Sequence, residues 1–281
     1  MFRRVRPVGH PARTVSAAGR PSPRTGAANT VVSVLSALIA AVSAFYGVRA
    51  SVSIADTQRQ DAARSAISDY VVKMSELVRT SKSDPRNEIV ILASQVDALI
   101  AQYGQDKLHV SASTYRLTGL FLTLSTTDLE LAERMGRKAL ELSARMEPDG
   151  AGGLRMVDPL EALQAHRVLA DVAAQNLDLH RMNSEYQAAL DIIGSEGKRN
   201  RYIRKEAPHY TRAYWALSAM QLADGVDKPD AALCDEVRRR AVAARADLQA
   251  LGRQPEIVRR AGRVHTDRCS TGVPLKDLQT Y

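Results

Sequence analysis

Two stretches, DLELAERMGRKALEL at residues 128–142 and DLHRMNSEYQAALDI at residues 178–192, carry one pattern. In the first, Asp128-Leu129 is followed after nine residues by Ala139-Leu140-Glu141-Leu142; in the second, 50 positions on and without a gap, Asp178-Leu179 is followed by Ala189-Leu190-Asp191-Ile192. A looser third copy runs from Asp230-Ala231 to Ala241-Val242 across the same nine residues. Repetition at such an interval predicts one supersecondary unit stacked on copies of itself. Each copy is preceded by a run with apolar residues at helical spacing, Tyr115 to Leu124, Leu163 to Leu177 and Tyr210 to Leu222. Three antiparallel helix pairs are therefore expected.

Upstream of the repeat the same periodicity marks two more buried stripes, Ala63, Ile67, Tyr70, Met74 and Leu77, then Ile89, Leu92, Val96, Leu99 and Tyr103. Asp84-Pro85 and Asp158-Pro159 read as helix starts, because Asp accepts from exposed amides and Pro in the first turn loses no hydrogen bond. Thr127 with Glu130 has the spacing of a capping box, and Gly104, Gly194 and Gly252 read as stops. The punctuation predicts about eight helices after residue 50. No run alternates with period two, so no strand is expected. Scarce aromatics, three Phe and one Trp, beside abundant Ala and Leu favour the same all-α body.

The paired helices resemble a degenerate tetratricopeptide repeat. The match is best over 163–194, with Leu169-Ala170 in the first helix and Tyr186 followed by Ala189 in the second. In the earlier copy Gly119, Ala132 and Ala139 fit, but Gly136 stands where the family has an aromatic; the third has Trp215-Ala216 and Ala241, with an insertion around Asp224 to Pro229. The interval departs from the family's, which is about 34 residues, and the resemblance covers 111–251. It implies a short α-solenoid whose groove binds a protein or peptide, with contacts on the first helix of each pair at Arg116, Arg167, Arg212 and Tyr214. An irregular helical bundle is the alternative reading.

From Thr30 to Val48 there are 19 uncharged residues, which as a helix rise about 28 Å, near the thickness of a bilayer's hydrocarbon core. A transmembrane helix over 29–49 is expected. A signal peptide and a buried core helix are its rivals, disfavoured by the Tyr-Gly-Val-Arg-Ala exit and by the 28 preceding residues of Arg, Pro, Gly and Ser. Ser36, Ala40 and Ala44 recur at an interval that lets two such helices approach. Those first 28 residues hold six Arg and no acid, so the net charge of +8 misleads: the remainder carries 33 basic against 31 acidic side chains. The acid-free tail favours a cytoplasmic N-terminus, although three Arg flank the apolar run on either side and leave the side of the body open.

The expected organisation is a disordered Arg-rich tail (1–28), the transmembrane helix (29–49), a juxtamembrane helix (50–80), the repeat domain (81–253) and a short helix with a loose tail (254–281). Chemistry is sparse. Six scattered His form no HExxH or i, i+4 ligand pair, and no phosphate-cradling glycine loop or nucleophile elbow occurs. Neither a catalytic centre, nor a metal, nor a cofactor is expected. Cys234 and Cys269 are too few for a disulfide framework; they pair in an oxidising compartment or stand as one buried and one loose thiol. The basic stretch from Lys198 to Lys205, with Arg238-Arg239-Arg240 and Arg259-Arg260, suits lipid headgroups, an acidic partner or nucleic acid, with Tyr202 available for stacking. A charged inter-repeat loop and a solvated helix face are the favoured account of it, and nucleic acid is not the expected partner.

The expectation is a single-pass protein of the cell membrane, anchored through residues 30–48, that holds a protein or peptide without transforming it. A membrane-proximal sensory or self-associating module, in which residues 51–80 act as a stalk, is the alternative. Partner, pathway and oligomeric state are not legible.

Overall fold

The computed structural model describes residues 53–80, 84–149, 153–251 and Cys269. The Arg-rich tail, the apolar run at 29–49, Gly252, Arg259-Arg260 and all of 254–281 except Cys269 lie outside the described residues. Contacts divide the chain into two units, Met1–Gln58 and Arg59–Tyr281. Of the first only 53–58 are described, as helix; the second carries the fold set out here.

The body is all-α. Helix α1 spans 53–80, and is followed by α2 (Arg86–Tyr103), α3 (Gln105–Leu108), α4 (Ala112–Ser125), α5 (Leu129–Ser143), α6 (Pro159–Gln175), α7 (Leu179–Glu196), α8 (Arg201–Lys205), α9 (Ala207–Gly225) and α10 (Ala231–Leu251). The expectation of no strand is corrected by a hairpin between α5 and α6. Strand β1 (Met146–Pro148) pairs antiparallel with β2 (Leu154–Met156), with Glu147 opposite Arg155. Three-residue strands are too short to show alternation, and of the Gly150 to Gly153 cluster that reads as a linker only Gly153 is among the described residues. There the Gly153 amide donates to Asp149 Oδ1 at 2.8 Å and closes the turn.

Packing is closest between α4 and α5, α6 and α7, and α9 and α10; α6 also touches α4 and α5 on one side and α9 on the other. The repeated Asp explains where each second helix begins. Asp128 accepts from the Leu131 amide at 3.0 Å, Asp178 from Arg181 at 2.9 Å and Asp230 from Leu233 at 2.8 Å. Each satisfies an amide that the helix leaves without an intrahelical acceptor. The repeated alanine lies three turns on, where Ala139, Ala189 and Ala241 are all fully buried. Two of the expected boundaries are corrected. The cap at 127–130 is Asp128 rather than Thr127, whose hydroxyl meets Ser125 Oγ at 2.7 Å. Gly194 does not stop α7, which runs on to Glu196 and is closed by the Gly197 amide on the Ile193 carbonyl.

Helices α6 and α9 are buried nearly all round. They carry Ala162, Ala165, Ala170, Ala173 and Ala174, and Ala213, Ala216, Ala219 and Ala223, all inaccessible to solvent. Small side chains at these positions let neighbours approach from every side, so these helices form the spine of the body. On α1, Ala63, Ile67 and Met74 share one apolar cluster with Ile89 and Val96 of α2, Leu122 of α4 and Met135 of α5. The helix expected beside the membrane thus gives one face to the core it shares with α2, α4 and α5.

Gly136 occupies the place of the missing aromatic because α6 fills it. A Cβ there would stand 2.9 Å from Leu169 Cδ2, and one at Gly119 would stand 3.1 Å from both the Ala132 carbonyl oxygen and Val168 Cγ1. In the next pair the aromatic is present: Tyr186 is fully buried. Its hydroxyl donates to Asp171 Oδ1 at 3.0 Å and lies 2.8 Å from Ser218 Oγ.

Candidate binding groove

The first helices of the three pairs, α4, α6 and α9, meet with α8 around one cavity of about 240 Å³. Helix α4 supplies Arg116 and Leu120, α6 supplies Gln164, Arg167, Val168 and Asp171, α8 supplies Tyr202, and α9 supplies Tyr210 and Tyr214. The spacing of 164, 167, 168 and 171 is a single helical stripe, so one face of α6 forms the floor.

Its polar groups are held in place before any ligand arrives. Arg116 donates from Nε to Glu161 Oε2 at 2.7 Å and from Nη2 to Oε1 at 3.4 Å, both side chains being mostly buried. Arg167 reaches across to α9, where its Nη2 donates to the Ala207 carbonyl at 3.1 Å and to Thr211 Oγ1 at 2.7 Å. Its guanidinium carbon lies 5.5 Å from the centre of the Tyr214 ring, within the range of a cation–π contact. Asp171 is buried and accepts from Tyr186 and from Ser218 Oγ at 2.5 Å. The rings of Tyr202 and Tyr210 stand 6.2 Å apart, tilted by 35°. The result is a pre-ordered recess lined by guanidinium, carboxylate and amide groups and by three phenol rings, a lining that suits polar and aromatic side chains of a partner.

Three of the four expected contact residues, Arg116, Arg167 and Tyr214, are therefore brought together. Arg212 is not among the cavity's lining residues. It clamps α9 to α10, donating to Asp247 from Nε and Nη2, each at 2.8 Å, while His209 Nδ1 lies 2.6 Å from the same carboxylate. Burial alone pushes the Asp247 carboxyl up, but the hydrogen bonds and charges of Arg212 and His209 outweigh it and hold the carboxyl below the usual range. The lining residues not expected as groove contacts are Leu120, Gln164, Val168, Asp171, Tyr202 and Tyr210. Asp171 did carry a signal: it is the one acid in the apolar run Val168 to Ala174, and a carboxylate there requires buried partners.

Part of the basic set is committed locally. Arg199 pairs with Asp149 at 3.4 Å, Arg238 with Asp235 at 3.3 Å, and Arg240 with Glu236 at 2.8 Å. Arg239 also pairs with Glu236, while Tyr202 faces the cavity. Between the second helices of the first two pairs, Glu133 of α5 binds Arg181 of α7 at 2.9 Å. Arg181, with Arg137, keeps the Glu133 carboxyl below its ordinary range against the effect of burial. Among the described residues no group of three His, Cys, Asp or Glu could hold a metal ion, and no helix is long and apolar enough to cross a membrane. The chain matches no protein-family model, no curated protein and no solved structure.

Proposed function

We propose that the chain is a membrane-anchored helical-repeat scaffold of tetratricopeptide-like pairs that holds a protein or peptide segment in the recess between α4, α6, α8 and α9, and catalyses no reaction. The observation that carries this reading is the convergence of the first helices of all three pairs on one pre-ordered cavity. Stacked pairs generate such a surface by construction, because each first helix lines the same side of the stack. A cavity of about 240 Å³ accommodates one or two side chains of an extended segment rather than a whole small-molecule cofactor. The uncharged run at 30–48 supports the anchor.

A photoreactive amino acid at Gln164, with Val242 as an exposed control, tests the groove in native membranes. A discrete adduct at position 164, lost on Tyr202→Ala and absent from position 242, is expected. Equal labelling at both positions, or an adduct indifferent to Tyr202, removes the cavity as the contact. Deletion of residues 1–49 should release the protein from carbonate-washed membranes; retention of the shortened chain would refute the anchor.

A second reading, self-association beside the membrane, rests on Val72 and Ile91, which are 54% and 57% exposed on α1 and α2. Val72→Lys with Ile91→Lys should then convert an oligomer to a monomer in sedimentation. A wild-type chain that already sediments as a monomer excludes it.

A further inference from the structure

Cys234, in the first turn of α10, is joined to Cys269 by a disulfide that spans 35 positions, with Cα atoms 5.2 Å apart. They are the chain's two cysteines, so neither has another intramolecular partner and no adjacent thiol is present to reopen the bond by exchange. Cys269 is 2% exposed and belongs to the same apolar cluster as Trp215, Leu217, Leu233 and Val237. Exchange requires a thiolate to reach a sulfur; burial of Cys269 hinders attack there, and Cys234 is half-buried against the same cluster. The bond therefore has the features of a permanent structural link rather than of a redox switch.

We infer that the helical body matures and works in an oxidising compartment, outside the cytoplasm, with Cys234 and Cys269 joined as a covalent clamp on α10. Such bonds persist where the surroundings are oxidising and are kept reduced in the cytosol. Closure converts the two thiols to one disulfide by exchange with an oxidised protein dithiol of that compartment, which takes up the two electrons and two protons and leaves reduced. The acid-free tail of six Arg before the apolar run is independent of this bond and favours the same orientation, while the three Arg on either side of the run favour neither. The inference also narrows the class of partner, since a segment held by an exported groove must itself be extracytoplasmic. That last step alone rests on the scaffold reading.

The test uses the full chain in intact cells. Free thiols are blocked with a maleimide, the protein is denatured and reduced, and newly exposed thiols are tagged with a polyethylene-glycol maleimide. Two tags per chain after reduction and none before it are expected, together with activity of a reporter fused after Tyr281 that works only outside the cytoplasm. Thiols already blocked before reduction would overturn the clamp, and a reporter active only inside would overturn the compartment. The reporter is also read on the Cys234→Ser, Cys269→Ser double variant, so the topology is tested even where loss of the bond impairs folding. Neither readout depends on occupancy of the cavity, so failure here is distinguishable from failure of the groove.

Discussion

The ring of Tyr186 lies stacked on that of Trp215, with centroids 5.4 Å apart and planes 12° from parallel. This contact joins the second helix of the middle pair to the first helix of the last. Around it are the Tyr186 hydroxyl on Asp171, the Trp215 indole donating to Asn183 Oδ1 at 2.7 Å, and the Arg240 guanidinium 3.3 Å from the centre of the Trp215 ring. Tyr186→Phe preserves the stack and removes one donor from a buried carboxylate, a loss of about 1–3 kcal/mol. Tyr186→Ala also empties the core and should cost about 3–5 kcal/mol. Urea unfolding of the two variants checks the order; equal losses would mean that the hydroxyl carries the whole effect.

At Gly136 the resemblance and the packing make opposite predictions. The repeat family's pattern places an aromatic there, whereas Leu169 stands 2.9 Å from where a Cβ would sit. Gly136→Tyr should destabilise the body by at least about 1–3 kcal/mol through overpacking. A gain in melting temperature would show instead that α6 yields and that the first pair accepts the family's arrangement.

The three capping aspartates act at separate helix starts. Asp128→Ala, Asp178→Ala and Asp230→Ala should each cost about 1 kcal/mol. Because the sites share no partner, the triple variant should lose close to the sum. A triple loss far from that sum, read by denaturant titration, would mean that the pairs do not fold as one unit.

Low pH should loosen the body at two ion pairs. Asp247 and Glu133 both have carboxyls held below their ordinary range by the arginines that bind them. A depressed folded-state value contributes stability that is present above the unfolded value and is lost as pH falls through the folded one. Melting temperature should therefore fall as the pH drops below about 4. Asp247→Asn, which removes one titrating site, should make that decline shallower; an unchanged slope would place the acid sensitivity elsewhere.

The helical class, the three pairs and their starts could be read from the sequence because each depends on local rules. Asp at a first turn finds its amide partner within three residues, and apolar spacing marks the face that must leave water. Asp128, Asp178 and Ala189 illustrate this: their roles follow from position in one helix. The β1–β2 hairpin escaped because three residues cannot display a period. Thr127 was misread because the helix begins one residue later: Asp128 caps the Leu131 amide, and the Thr127 hydroxyl turns to Ser125 Oγ.

Arg116, Arg167 and Arg212 show where local reasoning stops. Each lies on the exposed-looking polar side of a first helix, and nothing within any one helix distinguishes them. Two of them line the cavity and the third clamps α10, a division made by which neighbour lies opposite: α8 with its Tyr202 in one case, Asp247 in the other. The vacancy at Gly136 and the joining of Cys234 to Cys269 have the same character. Composition and periodicity settle which faces are buried, since burial is a property of each helix against water. Which buried or charged group meets which depends on how the helices pack, and that is a property of pairs distant in the chain.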